Sequence, residues 1–340
     1  MRRPTVHDVA AEAEVSIKTV SRVVNAEDNV SDVVRHRVLA AVEKLHYVPN
    51  SVARSLKVGL GDTLGVVIDS IADPFFAALT SAAETCALEA GLTVVFGSTG
   101  YDVQRERRQL ERMVMQQVRG IVLAPVHGDH AYLTRYRQSV PVVLVDRALE
   151  LGDYDTVLVD DFGSTRDAVD HLVRHGHRRI AFVGADPRFV TMTERLRGYR
   201  ESLSAAGIPE DPALVPAGLT DEPGGEAATL QVLRVRPDVT ALFSANTRAS
   251  LGAVHALHTA GRTDVAMVSF GDFPLAGTLD PGVTCVDQDP RLIGQVATGH
   301  LLARLGLGGQ PAAAVGQPGA RVVVPTRLVQ RGSGEIAAPR

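Results

Sequence analysis

Cysteine is scarce in this 340-residue sequence: only Cys86 and Cys285 occur, far apart and outside any metal-binding or disulfide spacing. We interpret both as small buried side chains of a protein in a reducing compartment. No apolar run approaches the roughly 20 residues that a membrane-spanning helix needs. No apolar segment follows Met1–Pro4, as a secretory signal would require. We therefore expect a cytoplasmic protein that has no membrane partner.

An excess of basic residues is missing as well. The chain has 35 Lys and Arg against 39 Asp and Glu, for a formal net charge of −4. Residues 1–60 have a balance of +2, and the remainder has −6. Any surface that binds nucleic acid must therefore be local, and this mild asymmetry is equally compatible with ordinary surface scatter.

Catalytic and cofactor motifs are absent. The sequence has no Walker motif and no Gly-x-Ser-x-Gly nucleophile elbow. The glycines of 59–61 lack the third glycine of a dinucleotide loop, and the pair His175 and His177 has no evident third ligand. We expect no catalytic residue, no metal, no cofactor and no enzymatic activity.

The N-terminal part is typical of three short helices. Thr5 and Asp8 match a capping box in which Asp replaces the usual Glu or Gln. Ser16 is expected to cap a second helix over 17–24, and Ser31 a third that ends near Tyr47. Two short helices joined by a tight turn and followed by a longer one predict a helix-turn-helix. The polar outer face of the second helix suits DNA, although a solvated helix face is the plainer interpretation.

The residues themselves are more specific. The stretches 5–10, 15–25 and 48–56 resemble the headpiece and hinge helix of the lactose/galactose repressor (LacI/GalR) family of bacterial regulators. Glu14 departs from the family pattern, which usually has Gly in this turn. If the position needs positive φ, the non-glycine residue costs about 1 kcal/mol.

The resemblance implies a role for each residue that matches the motif. Ile17 and Lys18 would read bases in the major groove, and Arg22 would read or clamp nearby. Leu56 would wedge into the minor groove of a palindromic double-stranded DNA operator, although it could also be a plain linker residue. Phosphate contacts would come from Ser16, Thr19, Ser21 and Asn25. The remaining predicted DNA contacts are Thr5, Asn50, Ala53 and Lys57.

From Asp62 onward, apolar strands alternate with helices in two successive series. This pattern predicts parallel sheets covered on both faces, in two similar α/β lobes with a ligand site in the cleft between them. The resemblance extends here through 73–76, 195–199, 245–247 and 268–276 to the periplasmic-binding-protein-like core of the same family.

The predicted organisation follows from these patterns. The helix-turn-helix headpiece covers 1–49, the hinge helix and linker 50–61, and the effector-binding and dimerisation core 62–330. Lobe 1 is expected over about 62–158 plus 291–325, and lobe 2 over about 159–290. The Gly/Ala/Pro-rich tail 331–340 is predicted to be disordered. It has none of the heptad leucines of the family's tetramers, so we expect a homodimer.

An effector site follows from transferring the family motifs residue by residue. Arg195 would reach ligand oxygens, unless it forms only a salt bridge between the lobes, and Asn246 begins a helix beside it. The strand-end residues Asp69, Asp146 and Asp160 could instead only cap loops. The expected effector contacts are Ser70, Asp73, Phe75, Arg147, Asp161, Phe162, Arg195, Asn246, Asp272 and Gln288.

The effector would be a small polar molecule, a sugar or sugar derivative. Gly271 stands where the family commonly has Asp, and Thr220 where many members have an aromatic residue, so the ligand's identity is left open. Two other functions compete with a ligand-responsive repressor: an enzyme on a Rossmann-like core fused to a helix-turn-helix, and a transport binding protein. The first requires one of the missing catalytic motifs, and the second requires a signal peptide and no headpiece.

Overall fold

A computed structural model describes residues 4–24, 30–47, 61–150, 153–218, 221–307 and 319–339. The chain divides into two compact units, Met1–Gly61 and Asp62–Arg340. The first unit contains the helices α1 Val6–Glu12, α2 Ile17–Val24 and α3 Asp32–Lys44. α3 ends at Lys44, before the predicted end near Tyr47. The turn that follows it contains His46, which has a φ of 48°.

The headpiece is held together by a small apolar core. Its fully buried members include Val9 of α1, Val20 of α2 and Val38 of α3, so each helix contributes at least one side chain. The Asp8 carboxylate accepts hydrogen bonds from the backbone N–H and the hydroxyl of Thr5, both at 2.7 Å. These contacts confirm the predicted helix-turn-helix and its Asp-type capping box.

The turn between α1 and α2 has the strain that the sequence suggested. Glu14 has a φ of 50°, in the left-handed region that glycine adopts without cost. Arg37 of α3 donates to the Glu14 carbonyl oxygen at 3.5 Å and links this turn to the third helix. The packed headpiece thus tolerates a residue whose backbone conformation is unfavourable by about 1 kcal/mol.

The second unit is an α/β core with two sheets. Its strands in chain order are β1 Thr63–Ile68, β2 Thr93–Ser98, β3 Gly120–Leu123, β4 Val142–Val145, β5 Asp155–Val159, β6 Ile180–Val183, β7 Ala241–Ser244, β8 Ala266–Phe270, β9 Thr284–Asp287, β10 Arg321–Val324 and β11 Arg327–Val329. Its α-helices are α4 Pro74–Glu89, α5 Val103–Met115, α6 Asp161–Arg174, α7 Val190–Ala205, α8 Glu222–Val235, α9 Thr247–Thr259 and α10 Pro290–Arg304.

The two sheets define the two lobes. The lobe 1 sheet has the order β10-β5-β4-β3-β1-β2, and every pairing in it is parallel. The lobe 2 sheet has the order β11-β9-β8-β7-β6, in which β11 pairs antiparallel with β9. β3, β4 and β5 are buried along their whole length, as expected for strands covered by helices on both faces.

The chain crosses between the lobes three times. It leaves lobe 1 after β5, returns after β9 to α10, which packs on α4, and leaves again between β10 and β11. Two short predicted elements have a different form, because 131–135 and 212–214 each form a 3-10 helix. The latter replaces the strand expected near Leu214, although an isolated bridge joins Ala185 and Ala217 nearby.

The prediction of a disordered tail over 331–340 is wrong for the part that the structure describes, which ends at 339. Ser333 donates to the Met267 carbonyl oxygen at 2.6 Å and accepts from the Thr284 N–H at 2.9 Å. The Glu335 carboxylate accepts from His171 at 2.6 Å and from the Thr284 hydroxyl at 2.8 Å. The Gly/Ala/Pro composition suggested disorder, but a few polar side chains with buried partners fix the segment to lobe 2.

The tail also contacts both histidines that the sequence singled out, the His177 ring and the His175 carbonyl oxygen. His177 donates from Nε2 to the Ile336 carbonyl oxygen at 2.8 Å, and its Nδ1 lies 3.0 Å from the Thr240 hydroxyl. His175 Nδ1 contacts the His171 carbonyl oxygen at 2.8 Å. The hydrogen bonds of both rings are therefore structural.

Arg331 joins the tail to lobe 2 through an ion pair. Its two terminal nitrogens donate to the two carboxylate oxygens of Asp272 at 2.7 and 2.6 Å, and this hydrogen bonding lowers the pKa of Asp272. A carboxyl whose pKa is lower in the folded state stabilises the fold above its unfolded pKa. That contribution is lost as the pH falls through the folded-state pKa.

We expect Arg331→Met to lower the free energy of unfolding by about 1 kcal/mol at pH 7, because it removes a bidentate, half-buried pair. The loss should shrink at low pH, where Asp272 is protonated. The matched control is Arg327→Met, which removes an aspartate-paired arginine whose side chain is 78% exposed. That variant should change stability by less than about 0.5 kcal/mol. Urea denaturation of the full chain measures both, and equal effects would contradict the assignment.

Candidate functional site

The first candidate site is the outer face of α2. Ile17 is 43% exposed although it is apolar, and Ser16 and Lys18 beside it are also exposed. Thr19, Ser21 and Arg22 are half-buried, because α2 packs on α1 and α3. An exposed isoleucine beside a lysine at the start of a recognition helix offers an apolar contact and a cation to the same groove.

Two of the predicted phosphate contacts, Ser16 and Thr19, already have intramolecular hydrogen-bond partners. The Ser16 hydroxyl oxygen accepts from the Thr19 N–H at 3.1 Å and lies 2.9 Å from the Thr19 hydroxyl. Ser16 therefore caps α2, as predicted. Thr5 donates to Asp8, so its hydroxyl proton is engaged within α1. The other predicted DNA contacts, Asn25, Asn50, Ala53, Leu56 and Lys57, lie outside the described residues.

The second candidate site is a cavity, open at its mouth, between the two lobes of the core. Its walls come from the carboxyl ends of strands in both sheets, where ligands of open α/β sheets bind. The lining residues are Asp73, Phe75, Phe76, Tyr101, Asp146, Arg147, Phe189, Thr191, Met192, Arg195, Asn246, Thr247, Phe270 and Gln288. Six predicted contacts are among them: Asp73, Phe75, Arg147, Arg195, Asn246 and Gln288.

The lobe 1 wall is built on an arginine between two carboxylates. Arg147 follows β4 and is buried, and it contacts Asp69 at the end of β1 and Asp146 at 3.0 Å. It also donates to the Pro125 carbonyl oxygen at 3.0 Å, and its guanidinium lies 5.1 Å from the Phe189 ring centroid. Asp69 and Asp146 are therefore ion-pair partners of Arg147 rather than simple loop caps.

Asp73 supplies a different kind of carboxylate to this wall. It caps α4, and its Oδ1 accepts from the Phe75 N–H at 3.0 Å. Burial raises its pKa to about 6, although the Phe75 N–H and the charge of Arg248 oppose the shift. Beside it, burial raises the pKa of Tyr101 to about 12. The hydroxyl of Tyr101 is therefore a neutral hydrogen-bonding group at any physiological pH.

The lobe 2 wall is built on Arg195 of α7. Its Nε and one terminal nitrogen each lie 2.7 Å from Oδ1 of Asp161, and the other terminal nitrogen donates to the Ala245 carbonyl oxygen at 2.6 Å. Its guanidinium carbon lies 3.7 Å from the centroid of the Phe270 ring. A guanidinium has five N–H donors, so these contacts leave two for a ligand. Both partners are in lobe 2, so the alternative of an interlobe salt bridge is wrong.

Asn246 and Asp161 complete this wall. Asn246 caps α9, since its Oδ1 accepts from the Ala249 N–H at 2.7 Å, and its amide NH₂ group remains as a donor at the cavity surface. Burial raises the pKa of Asp161 to about 6, against the opposing effect of Arg195. Asp161 acts on the cavity through Arg195, because its own side chain does not line it.

Four predicted effector contacts lie outside the cavity lining. Asp161 and Phe162 border a neighbouring groove, and Phe162 stacks with Arg197 at 4.1 Å. The Ser70 hydroxyl accepts from the Ala72 N–H at 3.2 Å within its own loop. Asp272 is held by Arg331, so the tail occupies the carboxylate that the sequence assigned to the ligand.

Gly271, which departs from the family pattern, is explained by its surroundings. It has a φ of 98°, which favours glycine, and a Cβ placed there would lie 2.3 Å from the Thr247 hydroxyl oxygen. A side chain at position 271 and the Thr247 side chain therefore could not both fit in this space. Asp160, the last of the strand-end carboxylates, caps α6 by accepting from the Gly163 N–H at 2.8 Å, which confirms the loop-cap alternative for it.

Sequence reasoning missed several lining residues, chiefly Tyr101, Phe189, Thr191 and Met192. Tyr101 has a φ of 64° and its ring meets that of Phe189 edge-on at 5.4 Å, a contact between the lobes. The signal available in the sequence was their position after β2 and β6, since any residue beyond the carboxyl end of such a strand can face the cleft.

Among residues 4–339, apart from the gaps given above, no group of three or more His, Cys, Asp or Glu side chains is arranged to hold a metal ion. In the same residues, no helix is both long and apolar enough to span a membrane.

Comparison with known proteins agrees with these features. Residues 61–331 match the family model for periplasmic binding proteins and the sugar binding domain of the LacI family. Residues 5–50 match the model for bacterial regulatory proteins of the lacI family. The HTH-type transcriptional regulator CelR of Thermobifida fusca is 34% identical over 344 residues, which cover 98% of this chain and 99% of the relative.

Solved structures give the same answer. A complex of the transcriptional regulator CelR with cellobiose is 32% identical, has a TM-score of 0.69, and covers 97% of this chain and 100% of that one. A lac repressor dimer bound to operator and the anti-inducer ONPF is 27% identical, has a TM-score of 0.82, and covers 98% and 99%. The chain belongs to the LacI family of bacterial regulatory proteins and is a DNA-binding transcriptional regulator.

Proposed function

We propose that the protein is a cytoplasmic repressor, without enzymatic activity, that binds a palindromic operator as a homodimer. Its DNA affinity would depend on a sugar or sugar derivative bound between the lobes. The observation that carries the proposal is Arg195, fixed over Phe270 with two N–H donors left for a ligand. Adjacent hydroxyl groups of a sugar fit such a rigid pair of donors.

The rest of the cavity supports a sugar-class ligand. Phe75 and Phe189 supply apolar ring surface, against which the C–H face of a sugar can pack. Asp73, Asn246 and Gln288 supply acceptors and donors for hydroxyl groups at separate points of the wall. Because the similar regulator CelR was solved with cellobiose, cellobiose is the first candidate to test.

We expect Arg195→Lys to weaken the ligand response at least tenfold, about 1.4 kcal/mol, because lysine keeps a cation beside Asp161 but loses the planar fork. Operator affinity without ligand should stay within about twofold of the parent, since that variant leaves the headpiece unchanged. The measurement is operator affinity titrated against cellobiose and other mono- and disaccharides.

The control for this variant is Arg197→Lys, two residues further along α7. Arg197 is exposed and paired with Glu194 at its surface, and it does not line the cavity. It should leave the coupling between ligand and operator unchanged. If Arg195→Lys also retains the parent coupling, Arg195 does not contact the effector, and the binding site must be assigned to Asp73 and Arg147 instead.

For DNA, we propose that Ile17 and Lys18 set the base preference and that Thr19 contacts a phosphate. The exposure of Ile17 and Lys18, against the half-buried Thr19, supports this division. The minor-groove wedge assigned to Leu56 rests on the family resemblance, and that residue lies outside the described part of the chain.

Exchanging Ile17 and Lys18 for another pair should change which half-sites are selected from a random DNA library. Thr19→Ala serves as the matched variant on the same helix. It should weaken all sequences by a similar factor, because a phosphate contact carries no base information. Selection of the same sites after the exchange would refute the base-reading role.

For the homodimer, we propose a contact through the free edge of the lobe 1 sheet. β2 is the outermost strand there, and Phe96 on it is 51% exposed, close in sequence to the exposed Leu88 at the end of α4. An unpaired edge strand that presents large apolar side chains is unfavourable in a monomer, and a second copy would cover it.

Phe96→Glu should therefore shift the protein toward monomer and weaken operator binding at least tenfold, because two half-sites are then no longer bound together. Val235→Glu on α8 is the control, since Val235 is similarly exposed, at 54%, but lies in lobe 2. Analytical ultracentrifugation compares the two variants. A Phe96→Glu protein that remains dimeric would show that the interface lies elsewhere.

A further inference from the structure

Carboxylates outnumber guanidinium groups around the cavity. Arg147 is shared by two carboxylates, Asp69 and Asp146, and it also donates to the Pro125 carbonyl oxygen. Arg195 is held by the carboxylate of Asp161. These two guanidinium groups therefore face three carboxylates, before any ligand binds.

Asp73 adds a fourth carboxylate, which has no ion pair within the described part of the chain. It is 7% exposed, and only its Oδ1 has a hydrogen-bond partner there, the Phe75 N–H. Its second oxygen is left for whatever occupies the cavity that it lines. A nearly buried carboxylate without a cationic partner is unfavourable, and burial raises its pKa to about 6.

Arg248, in the first turn of α9, is the cation whose charge opposes the rise in the pKa of Asp73. It interacts with the Tyr101 hydroxyl and, at longer range, with Asp73 and with Asp221 of its own lobe. Among the described residues it forms no direct ion pair, and it does not line the cavity. Counting Arg248, three guanidinium groups compensate four carboxylates, of which Asp73 and Asp146 line the cavity, and Asp221 competes for the third guanidinium.

We infer that the effector carries no phosphate or carboxylate group: it is a neutral polyhydroxy molecule, with an amino sugar tolerated. This inference rests on the proposed sugar-class function and narrows it. An anion in the cavity would lie beside Asp73 and Asp146, and their partial burial from water strengthens the repulsion. A hydroxyl group instead donates to the open oxygen of Asp73 and satisfies it.

The first arm of the test uses the full-length protein and isothermal titration calorimetry. The probes are matched sets built on common mono- and disaccharides, including glucose and cellobiose. Each set contains the neutral sugar, its phosphate ester, its acid and its amino derivative. We expect saturable binding by a neutral sugar, and binding at least about tenfold weaker by its phosphate ester and its acid.

The second arm separates charge from size. Asp73→Asn keeps an oxygen that can accept from the Phe75 N–H and removes the charge. It should therefore reduce the anion penalty, the loss of affinity of a phosphate ester or acid relative to its neutral sugar, about tenfold. Arg248→Gln should increase that penalty. The control is Asp238→Asn, which changes net charge equally at an exposed surface pair with Arg179 outside the cavity lining. It should leave the penalty unchanged.

Each outcome decides a different point. A phosphate ester or acid that binds as tightly as its neutral parent overturns the inference and leaves the sugar-class function standing. An anion penalty that Asp73→Asn does not reduce also overturns it, because the discrimination is then steric. No saturable binding by any member contradicts the sugar-class function itself, and with it the inference.

Discussion

The architecture of the cleft depends on the cost of burying guanidinium groups at the ends of strands. Arg147 and Arg195 are both nearly inaccessible to solvent, and removing such groups from water costs several kcal/mol unless hydrogen-bonding anions surround them. Each therefore has fixed partners: Asp69 and Asp146 in lobe 1, and Asp161 in lobe 2. These pairs fix the orientation of both walls before a ligand arrives, so little side-chain entropy remains to be lost on binding.

The same constraint explains the C-terminal segment. Asp272 lies in the loop directly after Phe270, and the Phe270 ring stacks with Arg195. Arg331, near the end of the chain, forms an ion pair with Asp272. The tail therefore supports the loop behind the lobe 2 wall. A segment that appears dispensable by composition thus contributes to the rigidity of the binding site.

Much of this could be predicted from the sequence, because the strongest signals are local. Apolar periodicity predicted the helices and strands, and Thr5, Ser16 and Asp8 marked helix starts that the structure confirms. Positive φ at Glu14 followed from a single unusual residue. The prediction failed where partners are distant in sequence. The sequence around Asp272 does not predict its ion pair with Arg331, and the sequence around Ser70 does not predict that its hydroxyl bonds within its own loop. Tyr101 and Phe189 meet only because two lobes close on each other, which no local pattern encodes.

The three crossings between lobes have a consequence for how the chain is made. Lobe 1 needs α10 and β10, and lobe 2 needs β11 and the Ser333–Glu335 turn, all of which come from the last part of the sequence. On the ribosome, the headpiece is complete early, whereas both sheets lack an edge strand until almost the whole chain has emerged. Exposed sheet edges favour mispairing and aggregation in this interval. Synthesis therefore completes the sequence of the DNA-binding unit well before that of the α/β core.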